Sequence, residues 1–374
     1  MMELQSLINN LSSRFMERDD EIKGIVLSLM TREHCLFIGP PGTAKSALVE
    51  AAATMSGLSY FRALVTKFTT PDELFGPPDI GELEKGIYKR NTAGMLPEAE
   101  TVFLDEVFKA SPSILNTLLS IMQERVFRNG AMHKVPLISL FGASNEVPEG
   151  EDDVALSAFS DRFLLRYQVK PISDPNTFIS VLSIDEPTDN IKPLNVKWND
   201  VFCELYNVKV APDIYSAVYD IKKKISEDEN APFISDRRWR KSIKLLKANA
   251  VINGRDAVDD EDFEILVHAL WDPEFPESRQ AVEKAIQSVA DPISLKLQEL
   301  LNAATEVANE ALNASAEDEA AKGLEAMKGL KKLLTELNNI SSSAPSKAAR
   351  IAAVRDKITE LQKEVSAKCL GITL

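Results

Sequence analysis

The stretch Gly39-Pro40-Pro41-Gly42-Thr43-Ala44-Lys45-Ser46 limits what this chain can fold into more than any other. An apolar run, Cys35-Leu36-Phe37-Ile38, comes before it, and a helical run, Ala47-Leu48-Val49-Glu50-Ala51-Ala52, comes after. The order strand, small-residue turn, helix start aims backbone N–H groups at an anion. Lys45 then stands where the β and γ phosphates of a nucleotide need a cation, and the Ser46 hydroxyl stands where magnesium needs an oxygen. Ala44 occupies a position where the general pattern has glycine. Alanine is small enough for a right-handed helical start, so phosphate binding is expected to survive.

A second motif agrees with the first. Thr101-Val102-Phe103-Leu104-Asp105-Glu106 is an apolar strand that ends in paired acids, and a buried strand ends so when the carboxylates have metal or proton work. Asp105 is expected to hold magnesium through water, and Glu106 to orient and polarise the attacking water, since phosphoryl transfer is catalysed mainly by positioning and charge stabilisation. Three further runs, Phe61 to Val65, Ile138 to Gly142 and Phe163 to Tyr167, complete a set of five strand candidates alternating with helical patterns. That alternation predicts an α/β domain with a parallel sheet over residues 1–172.

The remainder divides by composition. Residues 173–193 turn polar and proline-bearing, with Ser173-Asp174-Pro175 and Asp185-Glu186-Pro187 as breakers and a short helix at Phe178 to Leu182. Residues 194–275 read as an all-helical domain, with Ile243, Leu246, Ala250 and Ile252 on one face and Phe263, Leu266, Val267 and Leu270 on another. Residues 276–374 read as a helical bundle or hairpin. Ile293, Leu297, Leu300, Ala304, Val307 and Ala311 form one heptad-like seam, and Ile351, Val354, Ile358, Leu361 and Val365 another. Between them, Ser315 with Asp318 suggests a capping box for a helix carrying Leu324, Met327, Leu330, Leu334 and Leu337.

A formal net charge of −14 disfavours a phosphate backbone as partner and favours a protein. Three widely spaced cysteines, Cys35, Cys203 and Cys369, offer neither a disulfide framework nor a zinc site. With no export signal and no apolar stretch of membrane-spanning length, a cytoplasmic protein without a transmembrane segment is expected.

Once these motifs are placed, the chain resembles the AAA+ superfamily and, within it, the MoxR branch, nearest the RavA group. The likeness runs roughly from Leu7 to Trp271. The loop form Gly-x-x-Gly-x-Ala-Lys-Ser is similar to that of MoxR, as are Phe68 to Pro77, Gly94 to Ala99 and Ile114 to Leu119. The resemblance implies an αβα parallel sheet with a phosphate loop, an all-helical lid and, in this chain, a C-terminal helical bundle. It implies a polar sensor at Asn145, an arginine finger at Arg162 presented by a neighbouring subunit, and a second sensor arginine at Arg237 that ties the lid to the nucleotide, with Arg238 as its rival. It also implies that Glu21 and Ile22, in Arg18 to Ile22, line the adenine pocket.

Two insertions follow from the same likeness, a segment from Phe75 to Leu96 and a hairpin around Asn129-Gly130. Both would face the pore of a ring, where Lys85, Lys89, Arg90, Arg128 or Lys134 would grip a client or stay solvated. The activity so implied is ATP hydrolysis with Mg2+ by a homo-oligomeric, hexameric ring. It would remodel or mature a protein client, with a von Willebrand factor type A domain partner. A DNA-associated motor and a nucleotide-timed scaffold are the alternatives.

Overall fold

The computed structural model describes residues 2–146, 154–183, 192–194, 196–290, 292–312, 319–340 and 345–369. The chain forms two compact units, residues 1–283 and 284–374. In the first unit the strands are β1 (His34–Ile38), β2 (Tyr60–Leu64), β3 (Thr101–Asp105), β4 (Val126–Asn129), β5 (Ala131–Lys134), β6 (Ser139–Ser144) and β7 (Phe163–Gln168). Among the described residues, β2-β3-β6-β1-β7 pair in that order as one parallel sheet, and β4 and β5 form a separate antiparallel hairpin. Each of the five runs expected as strands lies in that sheet. β1 and β6 are buried at every position, as continuous apolar runs require. β2 is the exception, an edge strand whose Arg62 and Leu64 are exposed.

The helices of this unit are α1 (Met2–Ser12), α2 (Asp19–Thr31), α3 (Lys45–Ser56), α4 (Pro71–Phe75), α5 (Ile80–Leu83), α6 (Pro112–Glu124), α7 (Val154–Ser160), α8 (Pro175–Leu182), α9 (Trp198–Asn207), α10 (Pro212–Ser226), α11 (Asp236–Ile252), α12 (Leu266–Leu270) and α13 (Ser278–Ala290), which runs past the unit's boundary. α6 shows how sequence makes the layer: Leu115, Leu118, Ile121 and Met122 recur on one face and bury against Val102, Leu104, Phe159 and Phe163. In α11 the buried face is Leu245, Leu246, Ala248, Ala250 and Val251. Ile243 and Ile252, expected there, are only half-buried.

The hairpin forms at Asn129-Gly130, but only Gly130 has a positive φ, +73°. Asn129 is used differently from a turn residue. Its side chain accepts from the Arg90 N–H at 2.6 Å and donates to the Arg90 C=O at 3.0 Å, which stitches the segment after α5 to the hairpin. The Arg90 guanidinium is itself held by Asp72 and the Gly76 carbonyl. Lys85 is paired with Glu82. Neither cation is a free side chain extended toward a client.

The second unit packs α14 (Pro292–Leu312), α15 (Glu319–Asn338) and α16 (Pro345–Cys369) as a bundle rather than a hairpin. Leu297, Leu300, Ala304, Ala311, Leu330, Leu337, Ile351, Ile358 and Val365 are buried in its core as their spacing implies. Leu324 is half-exposed, and Ala326 takes the buried place instead. The Asp185-Glu186-Pro187 breaker, the Ser315–Asp318 capping box and the Ile293 side chain lie outside the described residues.

A Cβ added at Gly24 of α2 would stand within 2.3–2.7 Å of the Tyr167 ring. Gly24→Ala is therefore expected to destabilise the protein by about 1–3 kcal/mol, although alanine is the better helix former. Urea unfolding of the two proteins checks this, and an unchanged or higher midpoint contradicts it.

Candidate active site

The loop after β1 is fastened on both sides of the sheet. Gly39 N–H donates to the Ser144 carbonyl of β6 at 3.0 Å, and Val169 N–H, just past β7, donates to the Ile38 carbonyl at 2.7 Å. Gly42 and Ala44 both adopt left-handed backbone, φ +79° and +64°. Ala44 is therefore not the right-handed helical start expected of it. Its Cβ makes that conformation cost roughly 1–2 kcal/mol, and the bend brings Lys45 back over the loop. Lys45 Nζ donates to the Gly39 and Pro40 carbonyls, each at 2.8 Å, and approaches Thr43 Oγ1 at 3.4 Å. Burial pushes the Lys45 ammonium down, against the opposing pull of the Asp105 and Glu106 carboxylates. Pro40, Pro41, Gly42 and Ala44 are exposed, whereas Gly39 and Thr43 are buried and Ser46 is half-buried.

Parallel strand order brings the other expected residues to the same end of the sheet. Asp105 ends β3 and Glu106 follows it in a left-handed conformation, φ +54°. Glu106 is paired with Lys109 at 3.1 Å, a partner that the motif did not suggest. Asn145 follows β6, which lies between β3 and β1, and its side chain is exposed there.

Beside the loop lies a cavity of about 920 Å³ lined by Arg18, Asp19, Asp20, Glu21, Tyr167 and His268 among others. Its size is that of a small-molecule site. Arg18 is buried and donates from Nε to the Thr43 carbonyl at 3.3 Å, tying the cavity to the loop. His268 stacks on Tyr167 with ring centroids 4.2 Å apart, and burial pushes its imidazole down to about 4, so it stacks uncharged at neutral pH. Burial also pushes the Glu21 carboxyl up. Ile22 does not line the cavity; it is fully buried in α2. Tyr167 and His268 were missed because each sits in an apolar run with no motif around it.

The arginines are at the opposite end. Arg162 immediately precedes β7, whose Phe163 pairs with His34 at the start of β1. At about 3.3 Å per residue, the phosphate loop at the far end of β1 is on the order of 15 Å away. Arg162 and Arg237 both approach Asp161 Oδ2, at 3.4 and 3.9 Å. Arg238 is buried, and its donors bind Asp161 and the carbonyls of Phe163, Leu164 and Ala269. That leaves Arg237, with 43% of its side chain exposed, as the arginine free to meet a ligand. The expectation that Arg237 ties its own lid to its own nucleotide does not fit this position.

A cavity of about 650 Å³ at this end is lined by Arg162, Arg237, Arg32, Arg125, Lys134, Lys241 and Lys244, against Glu33 and Glu124. Such a concentration of positive charge stands out on a chain of net charge −14. Asp161 and Glu33, its organising acids, gave no sequence signal beyond a charged residue at the entry to a buried strand.

A family model described as the MoxR domain in the MoxR-vWA-beta-propeller ternary systems matches residues 2–189, half of the chain. The chain belongs to the MoxR family. An AAA lid domain model matches residues 213–286. An uncharacterised protein of Methanocaldococcus jannaschii is 45% identical over 274 residues, 73% of this chain and 71% of that one. The chaperone MoxR1 of Mycobacterium tuberculosis is 28% identical over 41% of this chain and 40% of its own length. A crystal structure of a protein from Cytophaga hutchinsonii shares the fold with a TM-score of 0.63 at 20% identity, covering 77% of this chain and 94% of that one. In this MoxR chain, as in the general AAA+ plan, a parallel sheet carries the loop, and a helical lid and a helical C-terminal region follow.

Two substitutions test this geometry. Ala44→Gly relieves the left-handed alanine and is expected to raise stability by about 0.5–1 kcal/mol with nucleotide binding retained; a fall in the urea midpoint contradicts it. Arg18→Ala removes a buried charge-assisted bond to the loop and should weaken binding of a fluorescent ATP analogue on the order of tenfold, whereas an unchanged affinity separates Arg18 from the loop's function.

Proposed function

We propose that this MoxR chain is a Mg2+-dependent ATP hydrolase that works as a homo-oligomeric, hexameric ring and remodels or matures a protein client. The observation that carries the reading is the division of the sheet. Lys45, Asp105, Glu106 and Asn145 gather at one end, and the exposed Arg237 with Arg162 lies at the other. One subunit then has the binding loop and the water-orienting acid but not the cations that stabilise the transition state. Those cations come from the next subunit, in a head-to-tail contact that closes into a ring. Charge supports the contact, since acids outnumber cations around the loop-end cavity, with Glu17, Asp19, Asp20, Glu21 and Glu283 against Arg18, Lys170 and Arg279, and the opposite end is basic.

Within the site, Lys45 binds the β and γ phosphates and Glu106 orients the attacking water once it leaves Lys109. Asn145 holds that water from the β6 side. Ser46 and Asp105 offer only oxygen atoms, which suits magnesium, a hard cation that keeps most of its coordination for water and phosphate. Held there by Ser46 and Asp105, magnesium would supply charge neutralisation for the phosphates. Arg162 and Arg237 of the neighbour supply the rest. Arg238, buried under five acceptor groups, holds the helix and does not reach a ligand.

A von Willebrand factor type A domain is the partner this reading favours, from the description of the matching MoxR family. Within the MoxR family we place the ATPase part nearest the RavA group. Among the described residues no helix is long and apolar enough to cross a membrane; we take the ring to act in the cytoplasm.

Lys45→Ala is expected to weaken ATP binding about 10- to 100-fold. Glu106→Gln should bind ATP normally and lose on the order of 100-fold or more in kcat. Equilibrium binding and steady-state ATPase assays separate the two. Sedimentation of the Glu106→Gln protein with ATP should give rings; a monomer under saturating ATP sinks the proposal.

A further inference from the structure

We propose that Glu33 is a positioning residue for hydrolysis in the next subunit: its carboxylate grips Lys241 and Lys244 and so fixes helix α11 with Arg237 held out beside Arg162. This rests on the trans reading given above. Glu33 lies between α2 and β1, and its side chain is only 6% exposed. Its two oxygens are divided between two lysines, Oε2 to Lys241 at 2.5 Å and Oε1 to Lys244 at 3.3 Å. Arg237, Lys241 and Lys244 stand at i, i+4 and i+7 of α11, one face of the helix.

Like charges at that spacing repel one another. The Lys241 ammonium is pushed down first by burial and also by Lys244 and Arg237, while Glu33 opposes the shift. Without a counter-ion the stripe would turn toward solvent. Glu33 and Asp161 are the acids that pair with it, one near each end. Arg238 pins the first turn of α11 to the entry of β7, and Glu33 pins the next two turns to the entry of β1. Two anchors on one helix fix its rotation as well as its position. Arg237 stands next to Arg238 and one turn before Lys241 on the same helix, with nearly half its side chain exposed, and its direction is therefore set by the pair.

The backbone at Glu33 is itself fixed. Its N–H donates to the Ser28 carbonyl at 3.1 Å, and its carbonyl accepts from Ser139 Oγ at 2.6 Å. The carboxylate is thus a fixed point on the sheet, and the helix is adjusted to it. Because a misplacement of about 1 Å in a group that stabilises the transition state costs on the order of 100-fold in rate, loss of one anchor should be read in kcat.

The test uses the full chain in mixed assemblies. Glu33→Gln and Lys241→Gln should each lower kcat about tenfold with ATP affinity within twofold of the parent, and the double variant should lose no more than either single one. Mixed with Glu106→Gln, whose α11 is intact, the Glu33→Gln protein should rise above its own unmixed rate per subunit. Arg162→Ala mixed with Glu106→Gln is the control for the trans reading. Recovery in the control without recovery for Glu33→Gln overturns this proposal and leaves the trans reading in place. No recovery in either mixture overturns both. Should Glu33→Gln fail to fold, Lys241→Gln carries the same mixture, and additive losses in the double variant would equally count against the clamp.

Discussion

Strand β1 is buried at all five positions and hydrogen-bonded on both sides, to β6 and to β7. A strand so held cannot shift without breaking two ladders, so whatever hangs from its ends is kept at a fixed separation. The phosphate loop leaves from one end and Glu33 enters at the other. Neighbouring strands repeat the division: β3 and β6 deliver Asp105, Glu106 and Asn145 to the loop end, and β7 begins with Arg162 at the far end. The groups proposed to bind nucleotide and those proposed to stabilise the transition state are thereby separated by the length of one strand. On the reading proposed above, no flexing of an arginine side chain spans that gap within one subunit, and assembly therefore enters the chemistry.

Much of this was legible in the residues. Continuous apolar runs gave the strands because a strand covered on both faces has few polar positions to spare, and the paired acids at the end of β3 pointed to the candidate site because a buried strand seldom ends in two carboxylates. Spacing failed where tertiary contacts decide. Ala44 looked like a relaxed helical start, yet the loop needs a left-handed residue there and imposes it on alanine. Ile22 looked like an adenine contact, but α2 turns it into the core. Arg237 and Arg238 are adjacent and chemically alike; only the helix phase of α11 tells that one is buried under carbonyls and the other faces out. Tyr167, His268, Asp161 and Glu33 matter through partners distant in sequence, and no local pattern encodes those.

The two insertions are joined by a side chain acting as backbone. Asn129 bonds both the N–H and the carbonyl of Arg90, so the hairpin and the segment after α5 are linked at that point. On the ring reading proposed above, such a link would pass movement of one segment to the other without requiring an extended cation. The helical bundle of residues 284–374 has its own buried seam of leucine, isoleucine and alanine, which makes it a separate module.

The account stands or falls on whether one subunit can hydrolyse ATP unaided. The direct measurement is the ATPase rate per subunit across a dilution series at saturating ATP, with assembly followed in parallel by light scattering. The account predicts that the specific rate falls with the loss of assembled protein and approaches zero for monomers. A specific rate that stays constant down to fully monomeric protein would contradict it.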